Sequence, residues 1–275
     1  MCIIAYKPEN KSMIDYDTLK TMFEHNSDGA GFMFTKNNKV HIQKGYMTFK
    51  AFYKALKKYK SEWYDQPFVL HFRISTQAGV NQACCHPFPL SDDMAQLKKL
   101  HNDTDMGIAH NGIISLTSSY SKTATHSDTM EFITDYLSLI IKDKNYYKHK
   151  NTVELIKRLA ESKLAILDNK GHCELIGNFV KDNGIYYSNE SYKPRTYLTV
   201  NNGNGYKSYT RTYYDTWDDY DYTDYYYNSF KKDVWDAYNT KTDKYEFDDL
   251  TCPGTCYGVT EFCTKCVNYN KCYAV

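Results

Sequence analysis

Apolar residues recur at strand or helix spacing up to about residue 195, and this pattern fades beyond it. Short apolar runs and alternating stretches predict strands over 1–6, 30–35, 40–44, 68–76, 107–114, 164–168, 173–176 and 184–188. Apolar residues three or four apart predict helices over 17–25, 48–59, 127–141 and 152–162. The expected helix N-caps are Asp15 or Asp17, Thr48, and Ser127 or Asp128. Hairpins rather than regular strand–helix–strand units join the strands, so we expect an α+β fold.

The predicted strand at 68–76 alternates between apolar and polar residues. Leu70 and Phe72 point to one side of it, whereas His71 and Arg73 point to the other. An edge strand with one solvated face is the ordinary interpretation of such alternation. The functional interpretation is that the Arg73 guanidinium binds a carboxylate through two parallel hydrogen bonds.

Cys2 is the first candidate for chemistry. A small residue after Met1 normally permits removal of the methionine, so we expect cysteine to become the first residue. It then carries a thiol and an α-amine on adjacent carbons, and the amine has a pKa of about 8. The amine can therefore accept the thiol proton and activate the sulfur as a nucleophile. The alternative is a buried, unreactive strand cysteine, because free cysteines are among the most buried residues.

A polar triplet, His110-Asn111-Gly112, interrupts the apolar run at 107–114. Asn-Gly commonly forms a hairpin turn. Alternatively, the Asn111 side-chain amide and the Gly112 backbone N–H aim at one point, as the donors of an oxyanion hole do. Ser127-Asp128 opens the next predicted helix, where N-capping alone accounts for both residues.

Six short motifs follow one another along the chain. They are Met1-Cys2, Asp28-Gly29-Ala30-Gly31-Phe32, His71-x-Arg73-x-x-Thr76, His86-Pro87, His110-Asn111-Gly112 and Ser127-Asp128-Thr129, in this order. Taken together, they resemble the glutaminase domain of class II glutamine amidotransferases, which are N-terminal-nucleophile hydrolases. The resemblance covers about residues 2–190 and is greatest to the small, stand-alone members. It implies a four-layer αββα sandwich, followed here by a Tyr-rich and Cys-rich C-terminal extension.

For catalysis, the resemblance implies that Cys2 attacks the side-chain amide of glutamine and releases ammonia and glutamate. Asn111 and Gly112 are then the residues that hold the oxyanion. No cofactor is implied for this reaction. We expect the ammonia to be supplied to a separate partner enzyme, because the C-terminal extension is too short for the synthase domain of the large family members.

For substrate binding, the resemblance implies that Arg73 holds the α-carboxylate of glutamine and that Asp128 pairs with its α-ammonium. Thr76 and Gln77 are implied to line the same cleft. Both charged partners are needed, because a zwitterion taken out of water requires compensation at each end.

Two other functions stay open. One is a stand-alone amidohydrolase acting on another γ-glutamyl compound, which would turn over such compounds but little free glutamine. The other is a non-catalytic binding or regulatory protein that retains the fold. Such a protein would release no ammonia and would resist alkylation at Cys2.

The charge balance narrows the choice of partners. The chain has 34 Lys and Arg against 33 Asp and Glu, a formal net charge of +1, so no global field favours nucleic acid or anionic lipid. It contains no run of eighteen apolar residues, and its first residues lack the pattern of a signal peptide. We therefore expect a cytoplasmic protein whose partners are glutamine or a glutamine-like molecule and an ammonia-accepting enzyme, rather than a membrane or a nucleic acid.

The C-terminal region differs from the rest in composition. Nine of the 28 tyrosines lie between Tyr206 and Tyr227, in acidic surroundings. We expect an amidotransferase-like domain at 1–195, a Tyr/Asp-rich and disordered linker at 196–249 and a Cys-rich tail at 250–275.

Five of the nine cysteines fall in this tail. In a reducing compartment, closely spaced cysteines favour thiolate ligation of a structural Zn²⁺. The candidate ligands are Cys252, Cys256, Cys263 and Cys266, with Cys272 as the alternative ligand. Disulfides and free thiols are the competing interpretations.

Overall fold

The structure, a computed structural model, describes residues 2–75, 79–117 and 125–194, with the backbone of residues 197–201 and 207–211. It mixes helices with antiparallel sheets, which confirms the predicted α+β class. The strands are β1 (Ile3–Lys7), β2 (Ala30–Lys36), β3 (Lys39–Tyr46), β4 (Phe68–Phe72), β5 (Phe88–Pro89), β6 (His101–Thr104), β7 (Met106–Asn111), β8 (Lys163–Asp168), β9 (Cys173–Ile176), β10 (Val180–Asp182), β11 (Ile185–Tyr187), β12 (Tyr197–Asn201) and β13 (Lys207–Arg211).

The α-helices are α1 (Tyr16–His25), α2 (Phe49–Lys57), α3 (Met94–Lys98), α4 (Asp128–Phe132), α5 (Ser138–Ile140) and α6 (Lys150–Ala160). The side chains of Asp15, Thr48 and Ser127 cap α1, α2 and α4, each accepting a hydrogen bond from the backbone N–H three residues on. A π-helical segment, Ile133–Leu137, joins α4 to α5, so the helix predicted at 127–141 changes its winding midway. In the part of the chain that the structure describes, no helix is long and apolar enough to cross a membrane.

The strands form two larger sheets and a separate pair. Seven strands make one sheet in the order β10-β11-β1-β4-β2-β3-β6, and four make another in the order β5-β7-β8-β9. The pair β12-β13 lies within the region predicted as a linker. Ile3 of β1 is opposite Phe72 of β4. This register brings Cys2, just before β1, beside the residues that follow β4.

Three buried apolar clusters hold these elements together. The first, here the intersheet cluster, joins the two larger sheets and consists of Ile4, Met33, Val40, Ile42, Val69, Ala109, Ala165 and Leu167. The second packs α1 and α2 on the opposite face of the seven-stranded sheet and is rich in rings, among them Phe23, Phe32, Phe34, Phe52, Phe68 and Phe72. The third packs the helices after residue 127 on the four-stranded sheet, through residues such as Met130, Ile156 and Leu164.

The structure overturns two ordinary interpretations of the polar motifs. β4 lies between β1 and β2 and all its residues are buried, so it is not an edge strand with a solvated face. β7 ends at Asn111, and its sheet neighbours are β5 and β8, so Asn111-Gly112 is not the turn of a two-residue hairpin. Sequence analysis also missed α3, β5, β6 and β10, which are short and lack an alternating apolar pattern.

Candidate active site

A cleft opens where β1, β4 and β7 meet the start of α4. It is lined by Cys2, Arg73, Ile74, His86, His110, Gly112, Ser127, Asp128 and Thr129. Four of the predicted site residues, Cys2, Arg73, Gly112 and Asp128, therefore share one cleft although they come from distant parts of the chain.

Cys2 is half-buried and lines this cleft. Its Sγ lies 3.3 Å from the backbone nitrogen of Ile74, which donates to it, and 3.4 Å from the Ile74 carbonyl oxygen. Loss of hydration raises the pKa of the Cys2 thiol, although the Ile74 N–H and the positive charge of Arg73 act to lower it. The sulfur therefore holds its proton at neutral pH, and a base has to remove that proton during any attack by the thiolate.

The turn at Asp28-Gly29 fixes the chain around Arg73, which is buried. The Arg73 backbone N–H donates to the Gly29 carbonyl at 2.8 Å, and the Arg73 carbonyl accepts from the Asp28 N–H at 2.9 Å. The Asp28 Oδ2 accepts from the Ser75 N–H at 2.8 Å. The guanidinium donates through Nη1 to the Gly79 carbonyl at 3.0 Å. Backbone contacts on both sides thus hold this cation in the cleft.

Two glycines, Gly29 of this turn and Gly31 of β2, permit a close approach by the Cys85-His86 loop. A Cβ added to Gly31 would lie 2.2 Å from the His86 carbonyl oxygen. Gly29 has a φ of +132°, and its added Cβ would lie 2.4 Å from the Cys85 Sγ. Any side chain at either position would displace the loop that carries His86 to the cleft.

Asn111 and Gly112 lie at the end of β7. Gly112 has a φ of +141°, and a Cβ there would lie 2.6 Å from the Cβ of Ser162, so only glycine fits. Asn111 is buried, and its Nδ2 donates to the Ser188 Oγ at 2.9 Å. An amide nitrogen carries two hydrogens, so that bond commits only one of them. Gly112 lines the cleft itself, whereas Asn111, the residue before it, is not among the lining residues.

Asp128 connects this strand end to the first turn of α4. Its Oδ2 accepts from the Ile114 N–H at 3.0 Å, and its Oδ1 accepts from the Thr129 N–H at 2.7 Å. The carboxylate is buried but lines the cleft. It therefore fixes the chain just after Gly112 and places a negative charge on the cleft wall.

Three buried histidines adjoin the cleft. The rings of His71 and His86 have centroids 4.3 Å apart, and those of His86 and His110 are 6.2 Å apart. The Thr129 Oγ1 lies 2.7 Å from the His110 Nδ1 and 3.2 Å from the His86 Nε2. Burial lowers the pKa of His71 to about 3 and that of His110 to about 4, and it lowers the pKa of His86 well below its ordinary value. All three imidazoles are therefore neutral at pH 7.

The remaining predicted site residues lie outside the residues that the structure describes. These are Thr76 and Gln77 and the tail cysteines Cys252, Cys256, Cys263, Cys266 and Cys272. Zinc ligation in the tail therefore stays a prediction. Within the described ranges, no group of three or more His, Cys, Asp or Glu side chains is placed to hold a metal ion.

Sequence reasoning missed several residues that the fold brings to the site. His86 and Thr129 belong to the motifs that carry the resemblance, which implies no role for either, and both line the cleft. Ser188 and Asn189 contact Asn111 and Cys2 without any local pattern that would have signalled it.

Comparison with known proteins adds no family to this description. No protein-family model matches the chain, and no curated protein matches it. The geometry of the cleft is therefore the basis for assigning a function.

Proposed function

We propose that this chain is a class II, glutamine amidotransferase-type hydrolase in which Cys2 attacks the side-chain amide of glutamine and releases ammonia and glutamate. One observation carries the proposal: a thiol, a cation, an anion and a backbone N–H at a strand end meet in a single cleft. Cys2, Arg73, Asp128 and Gly112 supply these groups. A zwitterionic amide substrate needs this combination, because it presents two opposite charges and an electrophilic carbonyl.

We further propose that the fold is the four-layer αββα sandwich of the N-terminal-nucleophile hydrolases. In its support, the intersheet cluster packs the two larger sheets against each other. The two other clusters pack helices on the seven-stranded and the four-stranded sheet. The nucleophile then comes from one sheet and the oxyanion donors from the other.

In the first step, removal of Met1 leaves the α-amine of Cys2 free to act as the base. The neutral amine takes the thiol proton as the sulfur forms a bond to the amide carbon of glutamine. The electron pair of the carbonyl π bond moves to oxygen and produces a tetrahedral oxyanion. A base within the same residue suits this site, because burial raises the pKa of the thiol and holds the nearby His110 and His71 imidazoles at a low pKa.

The oxyanion is stabilised by the Gly112 backbone N–H and by the second hydrogen of the Asn111 Nδ2. When the oxyanion collapses, the carbon–nitrogen bond breaks, and the proton held by the α-amine passes to the leaving nitrogen, which departs as ammonia. Water then attacks the thioester, with the amine again as the base, and releases glutamate and the free thiol. Each oxyanion donor contributes about 10²–10³ in rate in comparable sites.

Arg73 and Asp128 select the substrate by charge. The guanidinium binds the α-carboxylate of glutamine, and the Asp128 carboxylate binds its α-ammonium. Their opposite charges on the walls of one cleft orient the side-chain amide toward Cys2. Thr76 and Gln77 complete this proposal as lining residues.

The test combines an assay of ammonia release from glutamine with intact-mass analysis after treatment with a diazoketone analogue of glutamine. We expect loss of Met1, one adduct on Cys2 and stoichiometric release of ammonia and glutamate. The matched control carries an arginine inserted between Met1 and Cys2, which blocks removal of Met1 and should abolish both the adduct and the activity.

Three outcomes would contradict parts of the proposal. Full activity of the control with Met1 retained would overturn the role of the α-amine. If the protein turned over other γ-glutamyl compounds but little glutamine, it would be an amidohydrolase whose substrate is one of those compounds. No ammonia and no adduct would leave a non-catalytic binding or regulatory protein.

A further inference from the structure

The loop that follows β11 contacts both the nucleophile and the oxyanion residue. We call residues Ser188–Ser191 the clasp loop. Ser188 is fully buried, and its Oγ accepts one hydrogen bond from the Ile4 backbone N–H at 2.9 Å and another from the Asn111 Nδ2 at 2.9 Å. A serine hydroxyl oxygen has two acceptor positions, so these two bonds occupy both.

The two bonds to Ser188 join the two larger sheets at the cleft. Ile4 belongs to β1, two residues after Cys2, and Asn111 is the last residue of β7. The Ser188 N–H also donates to the Ile4 carbonyl at 2.9 Å, and the Ser188 carbonyl accepts from the Lys163 Nζ at 2.7 Å. One buried residue thus fixes the distance between the strand of the nucleophile and the side chain of Asn111.

The next residue, Asn189, holds the backbone of Cys2 directly. Its Nδ2 donates to the Cys2 carbonyl oxygen at 2.7 Å. The other side of the amide is also fixed, because the Asn189 Oδ1 accepts from the Ser191 N–H at 3.0 Å and from the Ser191 Oγ at 2.7 Å. Cys2 precedes the first paired residue of β1, so this bond restrains a residue that the sheet itself does not hold.

The end of α1 fixes the clasp loop in its turn. The Asn26 Nδ2 donates to the Ser191 Oγ at 3.2 Å, and the His25 Nδ1 lies 2.7 Å from the Ser191 carbonyl oxygen. The Asn26 side chain also donates to the Met22 carbonyl of the helix. The clasp loop is therefore anchored on the end of a helix. Rigid support of this kind keeps the residues of a site at fixed geometry.

We propose that Ser188 and Asn189 are positioning residues that hold the Cys2 nucleophile and the Asn111 amide in register for attack on the substrate. This inference rests on the proposed function. Ser188 sets the amide of Asn111 relative to β1, and Asn189 sets the rotation of the Cys2 backbone. Neither residue needs to touch the substrate, so their loss should lower kcat more than it changes KM.

The test compares Ser188→Ala, Asn189→Ala and the conservative variant Ser188→Thr with the wild-type chain in glutamine hydrolysis. We expect kcat to fall about tenfold to a hundredfold in both alanine variants, with KM changed less than about threefold. Ser188→Thr retains the hydroxyl and should recover most of the lost kcat. Rates are expressed per folded molecule, with the folded fraction measured by thermal denaturation.

The matched control is Thr35→Val, which removes another buried hydroxyl. The Thr35 Oγ1 donates to the Asp168 carbonyl at 3.0 Å near the end of β2 that lies away from the cleft. This variant should lose stability but keep kcat.

A wild-type chain that hydrolyses no glutamine would overturn the proposed function and this inference with it. An active wild type whose alanine variants lose no more kcat than Thr35→Val would overturn this inference alone, as would a Ser188→Thr variant no better than Ser188→Ala.

Discussion

The space between the two larger sheets has an aliphatic end and a polar end, and the same strands supply both. β4 shows the change most clearly. Val69 belongs to the intersheet cluster, His71 is buried beside the His86 imidazole, and Arg73 lines the cleft. Residues two apart on an extended chain share a face, so this face passes from aliphatic on β4 to cationic at Arg73, just after the strand, over five residues.

The two strands that carry the proposed chemistry repeat this change. On β1, Ile4 is in the intersheet cluster and Cys2 lies two residues before it. On β7, Ala109 is in the cluster and Asn111 lies two residues after it. The strand faces that bind the sheets together thus extend into the cleft, and well-packed strands set the positions of Cys2 and Asn111.

The two ends differ in what they contribute: the aliphatic end stabilises the fold, and the polar end supplies the chemical groups of the cleft. Aliphatic burial at one end contributes stability in proportion to the area removed from water. Buried polar groups at the other end cost free energy unless they are paired, which is why its imidazoles are neutral and its carboxylate accepts backbone hydrogen bonds. Substitutions at the aliphatic end should therefore lower the free energy of unfolding, whereas substitutions at the polar end should lower the rate of hydrolysis.

The largest effect is expected from Cys2→Ala at the polar end. Loss of the only proposed nucleophile should lower the rate of glutamine hydrolysis by at least about 10³-fold, because binding and the oxyanion donors cannot replace the covalent step. Cys173→Ala is the matched control, since this half-buried cysteine packs against the intersheet cluster. Ammonia release should be retained in that variant. Equal losses in the two variants would show that the polar end has no special chemical role.

A second pair of variants compares Gly107, on β7, with Gly112, which directly follows this strand. Gly112→Ala places a Cβ 2.6 Å from the Ser162 Cβ at a φ of +141°. The Gly112 N–H that we propose as an oxyanion donor should therefore shift, and kcat should fall about a hundredfold. Gly107→Ala points a Cβ at the intersheet cluster, 2.4 Å from the Met33 Sδ and 3.1 Å from a methyl carbon of Val40.

The expected result at Gly107 is a loss of stability without a loss of chemistry. Overpacking there should lower the free energy of unfolding by about 1–3 kcal/mol and leave kcat per folded molecule unchanged. Chemical denaturation measures the free energy of unfolding of both variants, and steady-state kinetics measures their kcat. If Gly107→Ala lowered kcat as much as Gly112→Ala, the two ends would not be separable.

Local chemistry made part of this architecture predictable from the sequence. The caps at Thr48 and Ser127 depend only on a side-chain oxygen three residues before a backbone N–H, and both are present. The alternation correctly placed Leu70 and Phe72 on the face of β4 opposite His71, because those two pack with α1 and α2 whereas His71 contacts the His110 carbonyl of β7.

Long-range pairing could not be predicted from the same evidence. Polar alternation usually faces water, so an edge strand was one of two interpretations of β4, and nothing local indicates that β1 and β2 flank it. Ser188 gave no signal at all, since its partners Asn111 and Ile4 are 77 and 184 residues away in the chain. Contacts between such distant segments form only in the folded chain, so no short stretch of the sequence indicates them.

The smallest effect concerns the pH dependence of stability, which the polar end should dominate. Burial lowers the pKa of His71 to about 3, against an ordinary value of 6.5 that applies to the unfolded chain. Between these values the unfolded chain binds more protons at this residue than the folded protein does. The free energy of unfolding contributed by His71 is therefore fully present above pH 6.5 and falls as the pH drops toward 3, by up to about 1.4 kcal/mol per pH unit.

His71→Gln tests this prediction, because the glutamine amide can still donate to the His110 carbonyl that His71 Nε2 contacts at 2.9 Å but cannot titrate. Urea denaturation at several pH values between 4.5 and 6.5 should show a shallower slope for this variant, by up to about 1.4 kcal/mol per pH unit, whatever its absolute stability. His149→Gln, at an exposed position, should keep the wild-type slope. Parallel slopes for wild type and His71→Gln would mean that His71 is not held neutral by burial. The polar end would then be hydrated in solution, and its contrast with the intersheet cluster would be lost.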